Sequence, residues 1–206
     1  MLSGKKILFI SPRFFNYEKE IKARLEKMGA VVDFYDERPS NNSFAKALIR
    51  IDKRLISFYI RKHYNYILEK IGDLRYDYFF LIKGEATPSF FLTRLREKLP
   101  DAKFVYYTYD SIVNNKNALT NIQYFDRKFT FDDNDISAIK ELQFRPLFYL
   151  DEYAAVKGTD VQYDLSFIGT VHSDRYQFIH RLLQNIKKKD TRPVNVFLFL
   201  YCQSKW

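Results

Sequence analysis

The sequence predicts an α/β protein: a Rossmann-like, mostly parallel sheet followed by the start of a second Rossmann-like domain. Three observations predict it. Short, nearly continuous apolar runs such as KILFI and YFFLI alternate with longer stretches of helical periodicity. The 206 residues are 47% apolar and 29% charged, a globular balance with ample chain for a core. Near residue 151 the pattern turns polar and then begins afresh.

The elements follow in order. Lys6 to Ile10 reads as a buried first strand, and Tyr17 to Met28 as a helix with Ile21, Leu25 and Met28 on one face, ended by Gly29. Val31 to Tyr35, Tyr78 to Ile82 and Phe104 to Tyr109 read as further strands, with Arg127 to Phe131 and Phe144 to Tyr149 as the last pieces of the layer. Helices are expected over Ser43 to Ile71, Pro88 to Leu99 and Asp135 to Leu142; Pro88 suits a first turn, where its missing N–H costs nothing. Apolar strands separated by helices imply a parallel sheet covered on both faces, over residues 1–150. Residues 151–162, with Gly158, read as a linker. In 163–206, Tyr163 to Ile168 is expected as a strand, Gly169 to His172 as a loop, Ser173 to Lys189 as a helix and Val194 to Tyr201 as a strand. One β-α-β unit of about 45 residues covers too little of a parallel sheet, so it either docks on the first sheet or opens a second domain whose remainder is absent.

The net charge of +9 favours an anionic partner: a phosphate-bearing ligand, nucleic acid or an anionic membrane face. A single cysteine, Cys202, excludes an intrachain disulfide framework and a Cys-rich zinc module. Lys5 and Lys6 precede an apolar run that Pro12 and Arg13 cut short of a signal core, and no stretch approaches the roughly 20 apolar residues of a membrane span. A soluble cytoplasmic protein is expected. After the first strand there is no Gly-rich dinucleotide fingerprint, and nowhere a phosphate loop, nucleophile elbow or His-Glu-x-x-His. His63, His172 and His180 lack metal-ligand spacing.

Ligands of open α/β sheets bind at the carboxyl ends of strands. Arg13 and Phe14 leave the first strand, Lys83, Gly84 and Glu85 the third, and Asp110 and Ser111 the fourth. Gly84 allows a tight turn beside a ligand, and Glu85 or Asp110 suits proton removal from a bound hydroxyl. The competing reading makes Asp110 a cap and Glu85 a solvated loop residue. In the second unit, Gly169, Thr170, His172, Ser173 and Arg175 suit a phosphate cradle at a helix start, against ordinary capping by Ser173. The run Asp132, Asp133, Asn134, Asp135 fits a helix cap better than a diphosphate-bound metal. The expected helix 44–71 carries seven Lys or Arg against two acids, which suits either contact with an anionic membrane or a core-covering helix with a solvated basic face.

Taken in order and spacing, KKILFISPRFFNYEKEIKARLEKMG, VDFYDERPSNNSF, YDYFFLIKGEATP, DAKFVYYTYDSIVNNKN, YFDRKFTFDDNDI, FRPLFYLDEY and YDLSFIGTVHSDRY resemble bacterial lipopolysaccharide and capsular polysaccharide biosynthesis proteins of the CgeB-like glycosyltransferase type. The resemblance implies a GT-B enzyme with two Rossmann-like domains facing across a cleft. It further implies sugar transfer from a nucleotide-diphosphate sugar to a glycan or lipid-linked acceptor, with Asp110 or Glu85 as base on the acceptor side. Gly169, Thr170, Ser173 and Arg175 would belong to the donor side, without a cofactor or bound metal. Such proteins are longer, so most of the donor domain is expected to be missing. A cytoplasmic place, peripheral at the inner membrane face through helix 44–71, accompanies this reading. The alternatives are a non-catalytic or truncated module of the same fold and, less favoured, a nucleic-acid-binding protein. Most aromatics fall inside strands and no RNA-stacking signature appears, so no nucleic acid is expected.

Overall fold

The computed structural model describes residues 2–42, 56–156, 158, 160–171, 174–189 and 193–201. The chain divides into two compact units, Met1–Leu150 and Asp151–Trp206. In the first, strands β1 (Lys6–Ser11), β2 (Val31–Asp36), β3 (Tyr78–Ile82), β4 (Lys103–Thr108), β5 (Arg127–Thr130) and β6 (Gln143–Phe144) form one sheet in the order β2-β1-β3-β4-β5-β6. All neighbouring pairs are parallel; Phe9 lies opposite Phe34 on one side and Phe80 on the other. This is the order of a flavodoxin-like doubly wound sheet, whose chain reverses direction between β1 and β3.

The helices are α1 (Tyr17–Lys27), α2 (Ser57–Ile71), α3 (Ser89–Lys98), α4 (Lys116–Asn121) and α5 (Asp133–Ala138). Side chains alternate across each strand, so the sheet has two apolar faces. Leu8, Ile10, Phe79, Leu81, Phe104 and Tyr106 form one buried cluster with Ile60, Tyr64 and Ile67 of α2 and Phe91, Leu92 and Leu95 of α3. Ile7, Phe9, Val32, Ile82 and Tyr107 form the other, against Ile21 and Leu25 of α1. The apolar cores predicted for β1, β3 and β4 are therefore buried, and with them the α/β class stands.

Several boundaries differ, each for a physical reason. The helix expected over 43–71 is described only from Ser57, and residues 43–55 lie outside the described set. The strand expected over Phe144 to Tyr149 is two residues long. Pro146 lacks the N–H a ladder needs, and 145–149 instead crosses the second face. There the Tyr107 hydroxyl donates to the Pro146 carbonyl at 3.4 Å, and Phe148 meets Tyr17 edge-on at 5.5 Å. Helix α5 starts two residues before the expected Asp135, because Asp132 caps it by accepting the Asn134 N–H at 2.9 Å. Helix α4 and the 3-10 turns beside it, Ile112–Asn114 and Ile122–Tyr124, have no counterpart among the expected elements.

In the second unit, α6 (Asp151–Ala154) forms one turn inside the expected linker. Strands β7 (Leu165–Thr170) and β8 (Val196–Tyr201) pair in parallel, with α7 (Arg175–Lys189) between them in sequence. The expected loop 169–172 starts two residues late, since Gly169 and Thr170 pair with Leu200 and Tyr201. Among the described residues no helix is long and apolar enough to cross a membrane.

Candidate functional site

In sheets of this strand order the loops on either side of the reversal diverge to opposite faces, which makes the carboxyl edge above β1 and β3 the place to look for a site. The loop after β3 is unusual. Lys83 and Gly84 are both left-handed, with φ of 71° and 66°. Glycine adopts this freely, whereas for lysine it costs about 1–2 kcal/mol. Buried hydrogen bonds hold the strained backbone in place. The Lys83 carbonyl accepts from the Tyr106 hydroxyl at 2.9 Å and the Asn115 amide at 2.6 Å. The Asn117 amide donates to the carbonyls of Gly84 and Thr87, and the Asn121 amide to that of Thr87, all within 2.9 Å. A Cβ at Gly84 would also press on Leu81 at 3.1 Å.

The strain sets the Lys83 ammonium between two carboxylates, 3.2 Å from Asp110 and 3.5 Å from Glu85. Arg38, following β2, reaches the same Glu85 oxygen at 2.9 Å. The Lys83 and Glu85 side chains are only 11% and 14% exposed, while Asp110 is 35% exposed and forms the open side of the group. Behind it Glu37 is fully buried. Burial pushes its carboxyl up to about 7, against the lowering effects of the Ala86 N–H it accepts and of Arg38. Its Oε2 and the Nε of Arg38 have no hydrogen-bond partner among the described residues. Burial also raises the Tyr109 hydroxyl, with the charges of Glu37 and Asp110 adding to the shift.

Of the residues singled out in the sequence, Lys83, Gly84, Glu85 and Asp110 are therefore brought together. Phe14 joins them through Tyr109, whose ring lies nearly parallel to its own at 6.2 Å between centroids. Arg13 stands at the rim, 3.3 Å from Asp36. Ser111 turns away to donate to Asp135 at 3.3 Å. Glu37 and Arg38 were not singled out. The signal available was their place, directly after the second strand in the charged run Asp36-Glu37-Arg38, but a charged run at a strand end ordinarily reads as solvated.

Asp132 caps α5 as described, and Asp135 faces inward, accepting from the Ile112 N–H and the Thr130 hydroxyl. Among the described residues no three His, Cys, Asp or Glu are grouped to hold a metal. In the second unit Arg175 donates to the Thr170 hydroxyl at 3.2 Å, and Gly169 lies against Phe167 and Arg175. His172 and Ser173 lie outside the described residues. A groove of about 670 Å³ lined by Gly72–Asp77 and Glu97–Ala102 lies at the amino edge of the sheet, away from the strained loop.

No protein family and no curated protein matches the chain. Among solved structures it is similar to a response regulator protein from Burkholderia pseudomallei with a phosphorylated aspartic acid, calcium ion and citrate. The identity is 16%, the TM-score 0.36, and the match covers 89% of this chain and 87% of that one. These comparisons correct the glycosyltransferase expectation: no family and no curated protein supports it, and the solved structure named above is a response regulator. Sugar transfer, its GT-B cleft, the nucleotide-sugar and glycan or lipid-linked partners, and the membrane contact through helix 44–71 are withdrawn with it. The short stretches that carried the resemblance are those any doubly wound sheet needs, apolar strands closed by polar turns. A likeness this slight does not bring the response regulator's chemistry to the present chain.

Proposed function

We propose that the Met1–Leu150 unit is a ligand-binding domain that takes a small, hydroxyl-bearing polar molecule at the carboxyl edge of its sheet, above β1, β3 and β4. The observation that carries this reading is the strained, over-determined Lys83. Backbone held in a sparsely populated region by a full set of buried hydrogen bonds is a mark of functional loops. Here the strain aims an ammonium at two carboxylates. Arg38, Glu85 and Lys83 form a fixed charged floor, and Lys83 holds the partly exposed Asp110 carboxylate at 3.2 Å on its open side. Asp110 is then the acceptor for a ligand hydroxyl, and the group placed to take its proton if a reaction follows. Gly84 keeps the loop free of a side chain at the turn, and Arg13 flanks the entrance. A cytoplasmic setting belongs to the same proposal, since a chain with one cysteine holds no intrachain disulfide.

The test uses the full chain and pairs of small alcohols and polyols with their methyl ethers, read by ligand-observed NMR. The alcohols bind and the ethers, which lack the donor, do not. Asp110→Asn keeps an acceptor but removes the charge, which lowers the hydrogen bond by about 1–1.5 kcal/mol and weakens alcohol binding by roughly 5- to 10-fold. Equal binding of ethers, or binding unchanged in Asp110→Asn, would refute the site.

A further inference from the structure

A set of aromatic rings stands exposed beside Asp110. Phe14 lies nearly parallel to Tyr109, with an interplanar angle of 22°. Phe15 meets Phe14 edge-on at 4.5 Å, and Tyr17 does so at 6.1 Å. Phe14 is 46% and Phe15 66% exposed, unlike the fully buried Phe9, Phe79 and Phe104 of the core.

The backbone that presents these rings is strained. Phe15 and Asn16 are left-handed in succession, with φ of 52° and 62°. Asparagine tolerates this; phenylalanine does so at a cost, and its side chain, 66% exposed, recovers little by burial. The conformation is nevertheless fastened. Glu18, buried beneath, accepts the Phe14 N–H at 3.1 Å, and the Phe14 carbonyl accepts the Tyr17 N–H at 3.0 Å. Among the described residues no Lys or Arg lies over these rings, and Arg13 is engaged by Asp36. Tyr109 precedes Asp110 directly and its hydroxyl feels the Asp110 charge, so the ring surface and the hydroxyl acceptor are neighbours.

We propose that the ligand of this site carries a planar aromatic ring next to its hydroxyl, the ring resting on Phe14 and Tyr109 while Asp110 takes the hydroxyl. The inference rests on the binding reading above and specifies the class of molecule bound. Aromatic rings attract one another in offset and edge-on arrangements beyond what area alone provides. A saturated ring of equal size gains the area and not this term.

The matched probes are benzyl alcohol and cyclohexylmethanol, titrated against the full chain by saturation-transfer NMR, with tetramethylammonium as a third. Benzyl alcohol binds roughly three- to ten-fold more tightly than cyclohexylmethanol. Phe14→Leu, at a half-exposed position that leaves the core intact, removes this ratio while both alcohols still bind. Asp110→Asn weakens both alcohols alike. Equal affinities in the unmodified chain, or a ratio that survives Phe14→Leu, overturn the ring subsite. Tighter binding of tetramethylammonium than of benzyl alcohol overturns it too, in favour of a cation. Equal binding that Asp110→Asn weakens overturns the ring subsite alone; no binding of either alcohol overturns the site with it.

Discussion

Glu37 provides a sharp test of the buried part of the site, through the replacement Glu37→Gln. Glutamine keeps an acceptor for the Ala86 N–H and removes the ionisable group. Burial raises the carboxyl from 4.5 to about 7. At 1.36 kcal/mol per unit, this amounts to about 3 kcal/mol of stability that depends on pH. The sign follows from which state holds the proton more tightly. Between pH 4.5 and 7 the folded chain retains a proton that the unfolded chain releases. Stability from this group is therefore full below the unfolded value, falls as pH rises through the folded value, and is level above it. Carboxylates such as Asp77, held low by Lys5, and Asp132, held low by the Asn134 N–H, act in the opposite direction and at lower pH. Both proteins share them, so the difference between unmodified chain and variant isolates Glu37. Urea unfolding at intervals from pH 4.5 to 8 is the assay. The unmodified chain loses about 3 kcal/mol relative to Glu37→Gln across the interval. Parallel pH profiles for the two proteins would refute the buried, proton-holding carboxyl.

Other expectations follow from the same contacts. Gly84→Ala places a Cβ at left-handed φ and against Leu81, and lowers stability by about 1–2 kcal/mol in urea titration; no change would mean the loop relaxes freely. Asp135→Ala strips the acceptor from the Ile112 N–H and the Thr130 hydroxyl, and costs about 1–3 kcal/mol in thermal unfolding. A loss below about 0.5 kcal/mol, the range of surface substitutions, would show that these donors find water instead. Phe79→Ala, at the centre of the larger cluster, costs about 3–5 kcal/mol, and a smaller loss would mean the sheet repacks around the cavity.

How much of the molecule was legible depended on the range of the forces involved. Strand cores such as KILFI and YFFLI announce themselves because burying apolar side chains on both faces is a demand each strand satisfies within its own few residues. The stop at Gly29 and the cap at Asp132 are equally local, set by backbone freedom and by one side chain. The aromatic run of segment 144–149 fits a strand by pattern, while Pro146 and the nearness of Tyr107 and Tyr17 make it a crossing strap. The longer resemblance to glycosyltransferases failed for a related reason, since its stretches record what a doubly wound sheet requires and not what its edge does.

Sequence alone thus determined the class of fold and the strand cores of β1, β3 and β4, both matters of periodicity and strand polarity. Only the tertiary structure decided that Lys83, Glu85 and Asp110 share charge with Arg38, a partner 47 residues from Glu85. It alone showed that a buried Glu37 lies behind them and that Ser111 turns away to Asp135. Those outcomes depend on strand order and on strained loop backbone, which no local pattern encodes, because each arises where segments distant in sequence meet at the sheet edge.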